Sequence, residues 1–210
     1  MIECQLRELV EKYRAQLQKQ LDTRIDEMKQ DDNAHFLIYR VLGISEIEGK
    51  LIDVYQNKGR FLYKYAGSFL EEATKLCFSY ISPTSSSIRI PNTQGKRPKL
   101  FEIDCLDNRN AIEIKWRDAT TDGDHVMKEH TRLQVIADAD YKPIRIMYYL
   151  PNRQQARKIQ ETLKTLYRGV GGEYYAGEDA WQYVESYTTI NLKQLLESIA
   201  GESDAQSNDR

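Results

Sequence analysis

Residues 101–116 read Phe-Glu-Ile-Asp-Cys-Leu-Asp-Asn-Arg-Asn-Ala-Ile-Glu-Ile-Lys-Trp. Apolar and polar residues alternate over residues 99–106 and again over residues 110–116, and the turn formers Asp107, Asn108 and Arg109 separate the two runs. Alternation with a period of two on both sides of a short Asx-rich loop is typical of a β-hairpin. The sequence therefore predicts two strands joined by a tight turn.

Three charged side chains are predicted to converge on this hairpin. Because side chains alternate across a strand, Glu113 and Lys115 share one face, whereas Ile112 and Ile114 point to the other. If Asp104 lies opposite them on the first strand, two carboxylates and one ammonium meet. Mg²⁺ binds through one or two carboxylates, and a neighbouring lysine can orient or deprotonate a water and offset developing negative charge. The alternative is a solvated hairpin whose mixed charges serve solubility.

The pattern Asp104, eight residues, Glu113-Ile114-Lys115 resembles the motif of the PD-(D/E)xK nuclease superfamily. That motif usually has a proline before the aspartate, where this chain has Ile103, although many members of the superfamily lack the proline. The resemblance implies that Asp104, Glu113 and the Ile114 carbonyl bind Mg²⁺. It also implies that Lys115 helps to activate and position a water that attacks a DNA phosphodiester, leaving 5′-phosphate and 3′-hydroxyl ends.

The chain upstream of the hairpin is predicted to be helical. Apolar residues at three- and four-residue steps over residues 2–31 predict a long amphipathic helix, which either contacts a partner subunit or packs on its own domain. A short helix follows over residues 34–42. The capping box Ser45-Glu46-Ile47-Glu48 predicts a helix to about residue 56, with a turn at 57–59 and another helix over 61–80.

One glutamate of the last predicted helix is a further candidate. The segment Gly67-Ser68-Phe69-Leu70-Glu71 resembles the first-helix signature of resolvase-like and restriction-type members of the superfamily. The resemblance implies that Glu71 projects toward the metal site, where it supports the site or binds a second metal, with Glu72 as the alternative. The competing interpretation is a pair of solvent-facing glutamates.

Candidate DNA contacts lie on both sides of the hairpin. In many restriction enzymes of the superfamily the segment after the catalytic lysine enters the major groove. There Arg, Lys, Gln and Asn side chains can read base edges. A helix is predicted there over residues 124–138, with Asp124 as its N-cap. A basic loop before the hairpin suits phosphate contacts, and solvated side chains are the alternative for both segments. The candidates are Lys96, Arg97, Arg117, Asp122, His125, Lys128, His130 and Arg132.

Composition favours a soluble cytoplasmic protein. The formal net charge is −2 over 210 residues. Basic residues are nevertheless in excess around the hairpin, with 14 Lys and Arg against 10 Asp and Glu over residues 86–160. This excess suits binding of a phosphate backbone, and chance scatter of surface charge is the alternative. No apolar run is long enough for a membrane span. Three cysteines without CxxC spacing favour neither a disulfide framework nor a zinc site.

The order of predicted elements favours an α/β (α+β) fold, a mixed central β-sheet flanked by helices. We expect one nuclease domain over residues 1–200, with a helical region at 1–58, the catalytic core at 59–170 and C-terminal helices at 171–200. Residues 201–210 are expected to be a disordered tail.

Residues 55–67 look similar to the ApaLI-like group of restriction enzymes. That resemblance implies a Mg²⁺-dependent type II enzyme that cleaves double-stranded DNA at a short palindrome as a homodimer. A repair or structure-specific nuclease with the same core and a non-enzymatic helical interaction protein are the alternatives.

Overall fold

Helices and strands follow one another through nearly the whole chain. The structure, a computed structural model, describes residues 2–118, 120 and 122–208. The elements in these ranges are α1 (Ile2–Lys29), α2 (Phe36–Val41), α3 (Glu46–Ile81), β1 (Ser86–Pro91), β2 (Leu100–Asp107), β3 (Asn110–Arg117), α4 (Gly123–Asp138), β4 (Lys142–Tyr149), α5 (Gln154–Gly169), β5 (Glu173–Ala176), α6 (Glu178–Thr188) and α7 (Leu192–Asn208). The predicted α+β class is confirmed.

The strands form one mixed sheet in the order β1-β2-β3-β4-β5. The pairs β1–β2 and β2–β3 are antiparallel, and the pairs β3–β4 and β4–β5 are parallel. Helices α4 and α5 are the crossovers that parallel neighbours require. The predicted hairpin strand Ile-Glu-Ile-Lys-Trp is therefore the central strand, and four of its first five residues are buried.

Helices cover both faces of the sheet. One face, here called the site face, carries Glu113 and Arg145, which are register partners on β3 and β4. The opposite face carries the register partners Ile112 and Ile144. On that opposite face the Tyr148 hydroxyl lies 2.6 Å from the Thr74 hydroxyl of α3, so α3 packs against it.

Contacts divide the chain into two compact units, one up to Leu6 and from Leu70 onward, the other Arg7–Phe69. The second unit is helical, and in it the rings of Tyr13 and Phe69 meet edge to face at 5.7 Å. The candidate site lies entirely in the first unit. The expectation of one nuclease domain over residues 1–200 stays a prediction.

Two helices differ from their predicted extents. The predicted turn at residues 57–59 is wrong, since α3 is continuous. A glycine such as Gly59 costs a helix only about 1 kcal/mol, and the Asn57 amide donates to the Asp53 carbonyl one turn back, at 2.8 Å. Helix α7 runs to Asn208, so residues 201–208 continue a helix instead of forming the predicted disordered tail. Residues 209–210 lie outside the described ranges.

The short strand β5 was not predicted. Its four residues are too few to show an alternating pattern, and they follow a glycine-rich break in the chain. Among the described residues, no helix has both the length and the apolar character that crossing a membrane requires.

Candidate active site

The β2–β3 hairpin forms as predicted, with Cα pairs Cys105–Ile112, Leu106–Ala111 and Asp107–Asn110. On its other edge β2 slips register against β1 between Ser86 and Ile88, as at a β-bulge. Past the Cys105–Ile112 pair, Asp104 Oδ2 accepts a hydrogen bond from the backbone N–H of Ile114 at 2.8 Å. A bulge re-aims a side chain, and here the Asp104 carboxylate is fixed beside β3 at the motif Glu113-Ile114-Lys115.

Glu113 is a buried carboxylate with a cation on each oxygen. Its Oε1 lies 2.5 Å from Lys115 Nζ, and its Oε2 pairs with the Arg132 guanidinium. Burial by itself raises the pKa of Glu113, but the charges of Arg132 and Lys115 outweigh it and hold the pKa well below its ordinary value. Glu113 is therefore ionised at neutral pH.

Asp104 and Lys115 complete the cluster. Burial, followed by the charge of Glu113, raises the pKa of the Asp104 carboxyl to about 7. Burial lowers the pKa of Lys115, but the carboxylates of Glu113 and Asp104 outweigh it and hold the pKa above its ordinary value, so Lys115 is an ammonium. The side chain of Lys115 is 37% exposed and that of Glu113 only 7%. Solvent therefore reaches the cluster from the Lys115 side.

Glu71 lies within electrostatic range of this cluster. Its carboxylate pairs with Lys75 Nζ at 2.8 Å on α3. Lys75 also donates to the Ser87 hydroxyl at 3.2 Å, and that hydroxyl donates to the Asp104 carbonyl at 2.6 Å. After burial and Glu113, the charge of Glu71 also contributes to the raised pKa of Asp104. A direct role of Glu71 at a metal stays a prediction.

A buried ion network continues from Glu113 across the site face. Arg145 is fully buried, with guanidinium nitrogens 2.7 Å from Asp118 Oδ2 and 3.3 Å from Glu129 Oε2. Arg132 Nη1 lies 3.6 Å from Glu129 Oε1. Buried charges persist in proteins when they are paired, and Arg132 and Arg145 supply that pairing here.

Sequence reasoning missed Arg145, Asp118 and Glu129 as parts of this network. One signal was present, because Arg145 interrupts the otherwise apolar run Ile144 to Met147 of a buried parallel strand. A charge in such a strand needs a buried partner. The identity of that partner depends on how α4 folds over the sheet, which no local pattern reports.

The donor set suits Mg²⁺. The carboxylate oxygens of Asp104 and Glu113 and the Ile114 carbonyl are hard oxygen donors, and burial together with the nearby charge of Glu113 raises the pKa of the Asp104 carboxyl. Within the described ranges no three His, Cys, Asp or Glu side chains form a metal-binding group. Mg²⁺ commonly binds to one or two carboxylates and fills its other positions with waters and substrate phosphate, which this arrangement permits.

A family model for ApaLI-like restriction endonucleases matches residues 1–201. The chain belongs to the ApaLI-like restriction endonuclease family. The predicted resemblance to this group is thereby confirmed. The protein is accordingly a restriction endonuclease, which is a DNA nuclease. Searches of curated proteins and of solved structures gave no match.

Several predicted DNA contacts of this ApaLI-like endonuclease are exposed. Lys96 and Arg97 are exposed in the loop that joins β1 to β2, and Lys128 and His130 are exposed on α4. Arg117, at the end of β3, is half-buried. These positions allow contact with a ligand, and their role at DNA stays a prediction.

Two other candidates have partners within the endonuclease. Asp122 caps α4, since its carboxylate accepts from the Asp124 N–H at 2.9 Å, so the predicted cap at Asp124 is off by two residues. His125 Nε2 lies 3.2 Å from Asp118 Oδ2. Residues 119 and 121, which lie in the segment between Arg117 and Asp122, are outside the described ranges.

Arg132 is placed inside the protein. Its side chain is 8% exposed and pairs with Glu113, and its Nη2 donates to the Glu102 carbonyl at 2.8 Å. The helical pattern could not separate this arginine from its exposed neighbours, because its burial depends on the sheet beneath α4. A side chain this deeply buried and paired is not placed to contact DNA, in contrast to the prediction for Arg132.

Proposed function

We propose that this ApaLI-like endonuclease is a type II restriction enzyme that hydrolyses double-stranded DNA in a Mg²⁺-dependent reaction at a short palindromic site. One observation carries the proposal. The carboxylates of Asp104 and Glu113 and the ammonium of Lys115 meet where β2 leaves its ladder with β3, at the accessible end of an otherwise buried ion network.

Asp104, Glu113 and the Ile114 carbonyl would hold the metal ion. When bound, Mg²⁺ supplies Lewis-acid polarisation of the phosphate and acidifies a water. The Lys115 ammonium is half-exposed beside both carboxylates. It orients the attacking water by hydrogen bonding and offsets the negative charge that develops at phosphorus. Glu113 keeps Lys115 in place, and Glu71 adds negative charge behind Asp104.

The exposed basic side chains around the hairpin would bind the DNA backbone. Lys96, Arg97 and Lys128 are exposed, and contacts of this kind neutralise phosphates and position the duplex without reading sequence. Half-buried Arg117 directly follows the cluster along β3 and suits a contact nearer the cleaved bond. Two copies related by a two-fold axis would present one site to each strand of a palindrome.

Cleavage of natural DNA tests the proposal. Purified protein is incubated with unmethylated phage DNA in Mg²⁺, with a matched reaction in a chelator. Discrete fragments that appear only with Mg²⁺ are expected, and sequencing of their ends should return one short palindrome. A smear would contradict site-specific cleavage and favour a repair-type nuclease. Intact DNA across several substrates would contradict the proposed reaction.

A further inference from the structure

Arg132 is held by three acceptors from three different elements. Its guanidinium pairs with Glu113 on β3 and with Glu129 on α4, and it donates to the Glu102 carbonyl on β2. A guanidinium carries five N–H donors in a rigid fork. The contacts to Glu129 and to the Glu102 carbonyl therefore fix Arg132 in place independently of Glu113.

Both oxygens of Glu113 already have a cation. Lys115 Nζ lies on Oε1 at 2.5 Å, and Arg132 lies on Oε2. Arg145 is the register partner of Glu113, but its guanidinium bonds with Asp118 and Glu129 instead. Arg132 is thus the buried cation that directly neutralises Glu113, and a metal ion at Glu113 has to share or displace one of the two pairs.

We propose that Arg132 is a positioning residue that neutralises Glu113 before the divalent cation binds, so that the cation and Arg132 compete for the Glu113 carboxylate. The inference rests on the proposed Mg²⁺-dependent function. Glu129 makes the exchange feasible, because Arg132 keeps a carboxylate partner 3.6 Å away when Glu113 turns to the metal. The buried network thereby keeps the Glu113 carboxylate ionised and in place without metal and sets how tightly metal binds.

Metal binding without DNA tests the competition. The full chain is titrated with Mg²⁺ alone, and the half-saturating concentration is taken from the rise in unfolding temperature, because a ligand that binds the folded state stabilises it by mass action. We expect Arg132→Gln to unfold at a lower temperature than the wild type without Mg²⁺. We expect its half-saturating Mg²⁺ concentration to be roughly tenfold lower, because a competing charge beside a buried carboxylate has been removed.

A destabilised control separates competition from general loss of structure. Tyr148→Phe loses the buried hydroxyl contact with Thr74 on the opposite face of the sheet. This variant should also unfold at a lower temperature, but its half-saturating Mg²⁺ concentration should equal that of the wild type. A purely structural role for Arg132 predicts the same unchanged concentration in Arg132→Gln, and that result would overturn the proposal.

Two further variants keep the test decisive. Arg132→Lys retains a charge but lacks the fork that reaches all three acceptors. It should fold if Arg132→Gln does not, and its half-saturating Mg²⁺ concentration should lie between those of the wild type and of Arg132→Gln. In a Glu113→Gln background, Arg132→Gln should no longer tighten Mg²⁺ binding, because the effect acts through Glu113. Tightening that persists in this background would contradict the proposal.

The controls also separate this inference from the proposed function. If Mg²⁺ does not stabilise the wild type at any concentration, the proposed metal-dependent function fails together with the inference. If Mg²⁺ stabilises the wild type and both Arg132 variants to the same extent and at the same concentrations, only the inference fails.

Discussion

The two faces of the central sheet are both buried under helices, yet they are filled with different chemistry. On the site face the partners on β3 and β4 are Glu113 and Arg145. On the opposite face the equivalent partners are Ile112 with Ile144 and Ile114 with Ile146. The same two strands therefore build a charged layer on one side and an apolar layer on the other.

This difference favours a role for the charged layer in the proposed site. A buried ion network contributes little stability relative to well-packed apolar side chains of similar volume, and the opposite face shows that these strands accept an apolar layer. The charges lead from Arg145 through Glu129 and Arg132 to Glu113. At Glu113 they reach the solvent-accessible cluster of Lys115 and its carboxylates.

Removing the most buried cation should have the largest effect. Arg145→Met leaves Asp118 and Glu129 without their main cation, so we expect the free energy of unfolding to fall by about 3–5 kcal/mol. Urea denaturation measures it. The neighbouring control Ile146→Val, which points to the opposite face, should cost only about 0.5–1.5 kcal/mol. If Arg145→Met lowers the free energy of unfolding by no more than the control does, the buried network does not require the Arg145 guanidinium.

Lys115 should matter for cleavage more than for folding. Lys115→Met removes the ammonium beside Glu113 and Asp104, and we expect the rate of Mg²⁺-dependent DNA cleavage to fall by about 10²–10³-fold, the usual effect of losing one charge-stabilising donor. The control Lys142→Met removes a lysine that pairs with Glu173 and should cleave like the wild type. Equal rates for both variants would exclude Lys115 from the reaction.

The opposite face should tolerate change without loss of activity. Tyr148→Phe removes the hydroxyl contact with Thr74 and should lower the free energy of unfolding by about 1 kcal/mol. Single-turnover cleavage under conditions where the variant is folded should match the wild type. A fall of more than tenfold in that rate would show that the two faces are coupled in function.

The smallest effect is expected on the outer surface of α4. Lys128→Ala should leave stability unchanged and weaken DNA binding to a similar degree for all sequences. It should also reduce the slope of log affinity against log salt by about 1, as expected for one lost phosphate contact. Retardation of short duplexes at several salt concentrations measures this slope. An unchanged slope would place Lys128 away from the DNA.

The hairpin could be predicted because its determinants are local. Alternation and the Asp107–Arg109 turn define both strands, and the alternation alone puts Glu113 and Lys115 on one face. The approach of Asp104 followed from the expected strand pairing. Its hydrogen bond to the Ile114 N–H at a bulge did not, because a bulge depends on how β2 meets β1.

The buried partners of the site could not be predicted, because they meet only in the folded chain. Arg132 and Lys128 stand one turn apart on α4, yet Arg132 is buried and Lys128 is exposed. Helical periodicity gave both the same interpretation. Arg145 was visible as a charge in an apolar strand, but its partner Asp118 lies 27 residues away in sequence.

Substitution of Glu113 tests the proposed active site most directly. We expect Glu113→Ala to abolish Mg²⁺-dependent cleavage of phage DNA while it still retards the same DNA without metal. The matched control Glu102→Ala removes an exposed carboxylate from the adjacent strand β2, where it pairs with Arg89, and should cleave normally. Cleavage retained by folded Glu113→Ala at the wild-type rate would contradict the assignment of the β2–β3 cluster as the active site.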